Sequence, residues 1–229
     1  MRDGSITAII GPNGAGKTTL FNLLTNLVPP DAGAALLFGR SLAGLDPARV
    51  ARQGMVRTFQ TARVLPGTTV IENVLVGAHR RVRATPWRQA LRLGAASAEE
   101  ATLRAEAAAL LDALGLEGRA GDPATELPVG SQKLLELARA LMAVPRVLLL
   151  DEPAAGLNDG EAAELAQAMR DIREAGVTLV VVEHNMSLVM GVADEVVVLD
   201  LGKRIASGPP ASIQADERVI DAYLGKATA

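Results

Sequence analysis

Residues Gly11-Pro12-Asn13-Gly14-Ala15-Gly16-Lys17-Thr18 fit the pattern G-x-x-x-x-G-K-[ST], a spacing suited to cradling phosphates. The glycines let backbone N–H groups close on phosphate oxygens, and a helix opening at Lys17 adds a favourable dipole. The Lys17 ammonium reaches the outer phosphates, and the Thr18 hydroxyl can hold a divalent cation. Asp151 and Glu152 follow the apolar run Val147-Leu148-Leu149-Leu150, so two carboxylates emerge where a buried strand would stop. Asp151 suits the cation held by Thr18, and Glu152 suits a water attacking a terminal phosphate in line. Gln60 supplies a neutral amide that can ligate the cation and touch that water without competing for a proton. His184, which follows an apolar run and Glu183, can donate to the terminal phosphate from the same edge.

These side chains need a frame, and the hydrophobic pattern predicts one. Residues 5–10 read as a strand that feeds the glycine-rich turn, and 17–27 read as a helix from the spacing of Leu20, Leu23, Leu24 and Leu27. Residues 34–38 and 55–59 read as strands, with a helix at 48–53 capped by Asp46-Pro47. From Gln60 to Val144 the pattern turns helical, at 70–78, 86–93, 98–114 and 131–143. Strands at 147–150, 177–182 and 195–199 then alternate with helices at 160–174 and 186–190. Such alternation predicts a mainly parallel sheet covered on both faces.

Composition narrows the function classes. The 23 Lys+Arg and 26 Asp+Glu leave a formal charge of -3, so no basic excess points to nucleic acid. The aromatic residues are Phe21, Phe38, Phe59, Trp87 and Tyr223, too few for a platform stacking single-stranded bases. The chain has no cysteine, which excludes disulfides and thiolate chemistry, and its two histidines point any metal to oxygen ligands. With 49% hydrophobic residues in 229, a large aliphatic core is expected.

Taken in order, these elements resemble the nucleotide-binding subunit of an ABC transporter across residues 5–225. The resemblance implies an α/β P-loop NTPase fold. Residues 1–59 and 146–208 would form a RecA-like, mainly parallel core, 60–145 an inserted α-helical subdomain, and 209–229 a C-terminal helical tail. It also implies Mg2+-dependent ATP hydrolysis. ATP would be bound by Gly11, Pro12, Asn13, Gly14, Ala15, Gly16, Lys17, Thr18 and Thr19, and Mg2+ by Thr18, Gln60 and Asp151. Glu152, His184 and Gln60 would be catalytic. Leu127-Pro128-Val129-Gly130-Ser131-Gln132 would be the signature segment, acting on ATP held by a partner, and Ala155-Gly156-Leu157-Asn158 the D-loop. The implied partners are a second ABC ATPase subunit, identical or related, and transmembrane permease subunits. A periplasmic or extracellular solute-binding protein would act indirectly, and the subunit would sit peripherally on the cytoplasmic face of the membrane.

Finer matches resemble the ATPase subunits of branched-chain amino acid importers. They are Arg57-Thr58-Phe59-Gln60, Thr69-Val70-Ile71-Glu72-Asn73-Val74, Asp151-Glu152-Pro153-Ala154-Ala155-Gly156-Leu157-Asn158, Glu183-His184-Asn185-Met186 with Leu188-Val189-Met190-Gly191, and Val219-Ile220-Asp221-Ala222-Tyr223-Leu224-Gly225. Since no residue of such a subunit touches cargo, urea and amide importers remain alternatives, as does an ABC-type ATPase tied to no transporter. The segment from His79 to Leu93 carries Arg80, Arg81, Arg83, Arg88 and Arg92 beside Trp87, which reads as a solvated helix or as a contact to headgroups or permease.

Two features depart from the family. Pro128 stands where the signature carries a serine, so a capping hydroxyl and a backbone N–H are both lost. Ser131, expected at the start of the helix 131–143, is the candidate substitute. The family also places about two further strands and an adenine-stacking aromatic before the phosphate loop, whereas the residues before Gly11 include no aromatic. Stacking of that kind is worth about 1–3 kcal/mol. Either the true start lies upstream, which is the expectation, or the chain binds ATP through its phosphates with weak discrimination of the base.

Overall fold

The structure, a computed structural model, describes residues 1–58, 64–82 and 94–224. The elements run β1 (Ile6–Ile10), α1 (Lys17–Leu24), β2 (Leu36–Leu37), β3 (Arg40–Ser41), α2 (Pro47–Arg52), β4 (Met55–Arg57), α3 (Val70–Val76) and α4 (Gly94–Ala113). A 3-10 turn at Ala124–Glu126 leads into α5 (Val129–Leu141). There follow β5 (Val147–Asp151), α6 (Asp159–Glu174), β6 (Thr178–Val182), α7 (Met186–Val192), β7 (Glu195–Asp200), β8 (Lys203–Gly208), α8 (Pro210–Gln214) and α9 (Glu217–Leu224). The contacts divide the chain into two units, residues 1–60 with 146–229, and residues 61–145.

In the first unit a six-stranded sheet has the order β4-β5-β6-β1-β7-β8. Every neighbouring pair is parallel except β7 with β8. Residues of β1, β5 and β6 are buried throughout, as expected for strands covered on both faces. Alternate side chains of β1 serve opposite faces: Ile9 joins a cluster with Phe21, Leu149 and Val182, while Ala8 and Ile10 join Val189, Val196 and Val198. The second face is closed by Ile213 and Val219 from α8 and α9, so the C-terminal helices belong to this unit's core.

Several boundaries differ from the pattern reading. Helix α1 stops at Leu24, short of the expected Leu27, because Asn26 adopts a left-handed φ of 52°. The Asn26 N–H then bonds Leu23 O at 3.2 Å and the Leu27 N–H bonds Asn22 O at 2.9 Å, the paired bonds of a Schellman stop. The strand expected at 34–38 shrinks to a short hairpin of β2 and β3, turned at Phe38 and Gly39 with φ of 49° and 77°. β8 was not expected from the sequence.

In the second unit α3, α4 and α5 pack on one another. Thr69 and Glu72 cap α3 reciprocally, with the Thr69 N–H donating to Glu72 Oε2 at 2.8 Å. Asn73 is fully buried: its Oδ1 accepts the Leu65 N–H at 2.8 Å and its Nδ2 donates to Thr68 Oγ1 at 2.7 Å. A Cβ on Gly77 would lie 2.0 Å from Arg139 O, so α3 and α5 approach as closely as backbones allow there. Arg81 pairs with Glu106 of α4 at 2.6 Å and holds that carboxyl below its ordinary pKa. Trp87, Arg83, Arg88, Arg92 and the helix expected at 86–93 lie outside the described residues.

Candidate functional site

The loop after β1 is fixed by its own backbone and by the turn between β7 and β8. A Cβ on Gly11 would meet Leu199 O at 2.1 Å, so only glycine lets the chain leave β1 along this path. The Gly202 N–H donates to Ala15 O at 3.0 Å, and the Ala15 N–H to Pro12 O at 3.1 Å. Gly16, at φ 97°, is the N-cap of α1, whose first residues are Lys17, Thr18 and Thr19. Lys17 is buried, and its Nζ donates to Gly11 O at 2.7 Å and Pro12 O at 3.1 Å. Asn13, Gly14, Thr18 and Thr19 are exposed, so the concave side of the loop faces solvent. Tyr223 of α9 has its phenol pKa raised by burial, an effect opposed by the backbone of Gly11.

The parallel register brings Asp151, Glu152 and His184 to the sheet edge where β1 ends. Asp151 is paired with Val182, and Ile9 with that same Val182, so β1, β5 and β6 end side by side. Asp151 closes β5, Glu152 follows it, and Glu183 and His184 follow β6. Asp151 is buried, with Oδ2 accepting from Arg57 of β4 at 2.7 Å. The same guanidinium donates to Asn22 Oδ1 of α1 at 2.7 Å and lies over the Phe21 ring. Arg57 thus links the helix that follows the phosphate loop to the carboxylate, a role that the sequence reading did not assign.

Glu152 sits at φ 47°, in the left-handed region that a non-glycine residue occupies at a cost of about 1–3 kcal/mol. Its N–H donates to Val182 O at 2.9 Å and its O accepts the Ala155 N–H at 3.1 Å, which together hold the strained turn. The side chain of His184 is 64% exposed. Asn158 ends the segment Ala155-Gly156-Leu157-Asn158 by capping α6 reciprocally with Glu161. Gln60 and Phe59 lie outside the described residues.

The signature candidates lie at the start of α5, and here one expectation is corrected. The helix begins at Val129, not Ser131, because Pro128 takes the N-cap position with φ -53° and ψ 155°. Pro128 O accepts the Gln132 N–H at 2.9 Å, so Val129, Gly130 and Ser131 form the first turn. No side chain caps this end. Gln132 Nε2 folds back onto Leu127 O at 2.9 Å, while Pro128 and Val129 are exposed and Gly130 is buried.

The hard oxygen donors of Thr18 and Asp151 suit Mg2+, which takes one or two protein oxygens and completes its shell with phosphate oxygens and water. No group of three or more His, Cys, Asp and Glu able to hold a metal by themselves occurs among the described residues.

Comparison with known proteins agrees with this geometry. Residues 1–155 match the ABC transporter family, and residues 203–229 match the branched-chain amino acid ATP-binding cassette transporter family. The high-affinity branched-chain amino acid transport ATP-binding protein LivG of Salmonella typhimurium is 41% identical over 228 residues, 99% of this chain and 89% of that protein. BraF of Pseudomonas aeruginosa, with the same description, is 40% identical over 99% of this chain and 89% of its own. A solved ATP-binding cassette of an ABC transporter in its ADP conformation superposes with a TM-score of 0.84 at 32% identity, covering 97% of this chain and 89% of that one. The phosphate loop, the strand-end carboxylates and these matches over nearly the whole length lead to one conclusion: the chain belongs to the ABC transporter family, as one of its nucleotide-binding ATPases.

Proposed function

We propose that the chain is the ATP-hydrolysing subunit of an importer for branched-chain amino acids, working at the cytoplasmic face of a membrane against permease subunits. The observation that carries the catalytic part is the convergence of the phosphate loop, Asp151-Glu152 and His184 at the adjacent ends of β1, β5 and β6. The cargo rests on the names of LivG and BraF and on the match of residues 203–229. No helix among the described residues is long and apolar enough to cross a membrane, so membrane partners would supply the passage.

In this reading the backbone N–H groups of residues 11–18 and the Lys17 ammonium hold the phosphates of ATP. Thr18, Asp151 and Gln60 would hold Mg2+, which would offset charge on the phosphates. Glu152 accepts a proton from the attacking water, and His184 donates to the terminal phosphate. Two such subunits, the partner being identical or related, close head to tail so that Pro128 to Gln132 of one faces the nucleotide of the other. The segment 155–158 lies at that closure, and opening and closing pass to the permease. An extracellular or periplasmic solute-binding protein delivers the cargo.

ATPase rate of the purified chain, measured with and without its permease in lipid, tests the reading. The permease is expected to raise the rate several-fold, and uptake in vesicles should favour leucine over urea. A rate indifferent to the permease would remove the transporter assignment, and uptake of urea alone would remove the cargo.

Pro128 leaves α5 without a capping hydroxyl. Pro128→Ser would restore an N-cap worth about 1 kcal/mol and a hydroxyl for the partner's phosphate, so turnover should rise by about tenfold at most. Unchanged turnover, measured at saturating ATP, would mean that the first-turn N–H groups of Val129, Gly130 and Ser131 already suffice.

A further inference from the structure

We propose that Glu183 is a positioning residue: its carboxylate holds the turn after β5 and the turn after β6 in one register, and so sets where Glu152 and His184 stand. The inference rests on the roles proposed above for those two residues.

Glu183 follows β6 directly and has no exposed surface. Its carboxylate accepts from backbone amides on two separate turns. Oε1 takes the Ala154 N–H at 2.8 Å. Oε2 takes the His184 N–H at 2.9 Å and the Asn185 N–H at 3.1 Å. Ala154 lies two residues beyond Glu152 and 29 away from Glu183, so the first bond crosses between strands while the other two fold the carboxylate over its own turn.

The position of these bonds is what gives them a function. The regular ladder between β5 and β6 ends at the pair Asp151 and Val182, with a last bond from the Glu152 N–H to Val182 O at 2.9 Å. No ladder pair follows that point, and Glu152 already occupies a strained left-handed φ. Through its side chain Glu183 carries the pairing past the end of the ladder. The turn after β6 gains a second anchor from Asn185, whose Oδ1 accepts the Leu188 N–H at 3.1 Å and caps α7. A base and a phosphate donor on two turns need such a tie, because displacing a reacting group by about 1 Å can cost about 100-fold in rate.

The chemistry of the pair of oxygens makes the proposal testable with one isosteric change. An ionised carboxylate accepts at both ends, whereas an amide accepts at one end and donates at the other. In Glu183→Gln either the Ala154 bond or the His184 and Asn185 bonds must therefore face an N–H2 group, with volume unchanged. Steady-state kinetics of the purified full-length chain should show kcat down about 10- to 100-fold, with the KM for ATP and the affinity for a fluorescent ATP analogue within about twofold. On a His184→Ala background the same change should cost several-fold less than in the wild type, since the share that acts through the His184 turn is already lost while the share that acts through Glu152 remains.

Wild-type kcat in Glu183→Gln, or a loss that multiplies fully with that of His184→Ala, would overturn the proposal while leaving the site reading intact. Full activity in both His184→Ala and Glu152→Gln would overturn the site reading, and this inference with it. If Glu183→Gln does not fold, amide hydrogen exchange on the wild-type chain decides. Slow exchange at Ala154, His184 and Asn185 supports the tie, and exchange at the rate of open loops overturns it.

Discussion

Glu152→Gln is expected to lower ATP turnover by about 1000-fold while leaving ATP binding intact. The argument begins with the backbone, because the residue's position is held by groups that the substitution does not touch. The Glu152 N–H is bonded to Val182 O and its carbonyl to the Ala155 N–H, so the turn keeps its strained φ of 47° with either side chain. Glutamine has the same shape and similar reach, but it cannot take a proton from water at neutral pH. The phosphate loop, Lys17 and Asp151 are unchanged, so nucleotide affinity measured by calorimetry should stay within about threefold of wild type. An ATP-bound pair that closes but cannot hydrolyse should persist, visible as a dimer in size-exclusion chromatography with ATP and absent with ADP. Rapid hydrolysis by this variant would displace Glu152 from the role of base and direct attention to His184.

How much of this was legible beforehand depends on whether the cause is local. β1, β5 and β6 announce themselves as short aliphatic and β-branched runs, because strands buried on both faces are mostly apolar, and β7 does so through Val196, Val197, Val198 and Leu199. The loop 11–18 is equally plain, since its glycines answer a local steric demand such as the 2.1 Å approach of a Gly11 Cβ to Leu199 O. β8 was hidden because Lys203-Arg204-Ile205-Ala206-Ser207-Gly208 has charges and small residues where apolar alternation was sought. It is a strand because it pairs with β7 across a turn at Leu201 and Gly202, which have φ of 46° and 77°. That Leu-Gly step after an apolar strand was the available signal.

The start of α5 was misread for a related reason. Polar Ser131 looks like a cap, yet Pro128 already has the fixed φ and extended ψ that an N-cap needs, and its carbonyl takes the first helical bond. Arg57 and Glu183 were passed over because their partners are not readable as a motif. Arg57 joins Asn22 and Asp151 from distant elements, and Glu183 bonds main-chain amides that every residue possesses. A charged residue within or directly after an otherwise apolar strand is the hint in both cases, since a buried charge must be met by donors or acceptors.

Lys17→Met should weaken ATP binding by about 100-fold, equivalent to about 2.7 kcal/mol, and leave the fold standing. The Lys17 ammonium is buried and donates to Gly11 O and Pro12 O, so two neutral carbonyls of the loop accept its N–H groups. The cation is thereby held inside the loop that would receive the phosphates. Hydrogen bonds to a charged group contribute about 1.5–3 kcal/mol each, and a triphosphate offers the ammonium better acceptors than neutral carbonyls. Methionine matches the length of the lysine stem and removes the ammonium together with its N–H donors to Gly11 O and Pro12 O. The loop should keep its path, because that path depends on Gly11 against Leu199, on the Gly202 bond to Ala15 O and on Gly16 at φ 97°. The melting temperature without nucleotide should therefore move by no more than a few degrees, while the upward shift that saturating ATP gives the wild type should be lost. Measuring both temperatures with and without ATP separates the outcomes. A variant that melts normally and is still stabilised by ATP to the wild-type extent would show that the phosphates are held without Lys17, and its assigned role would have to be abandoned.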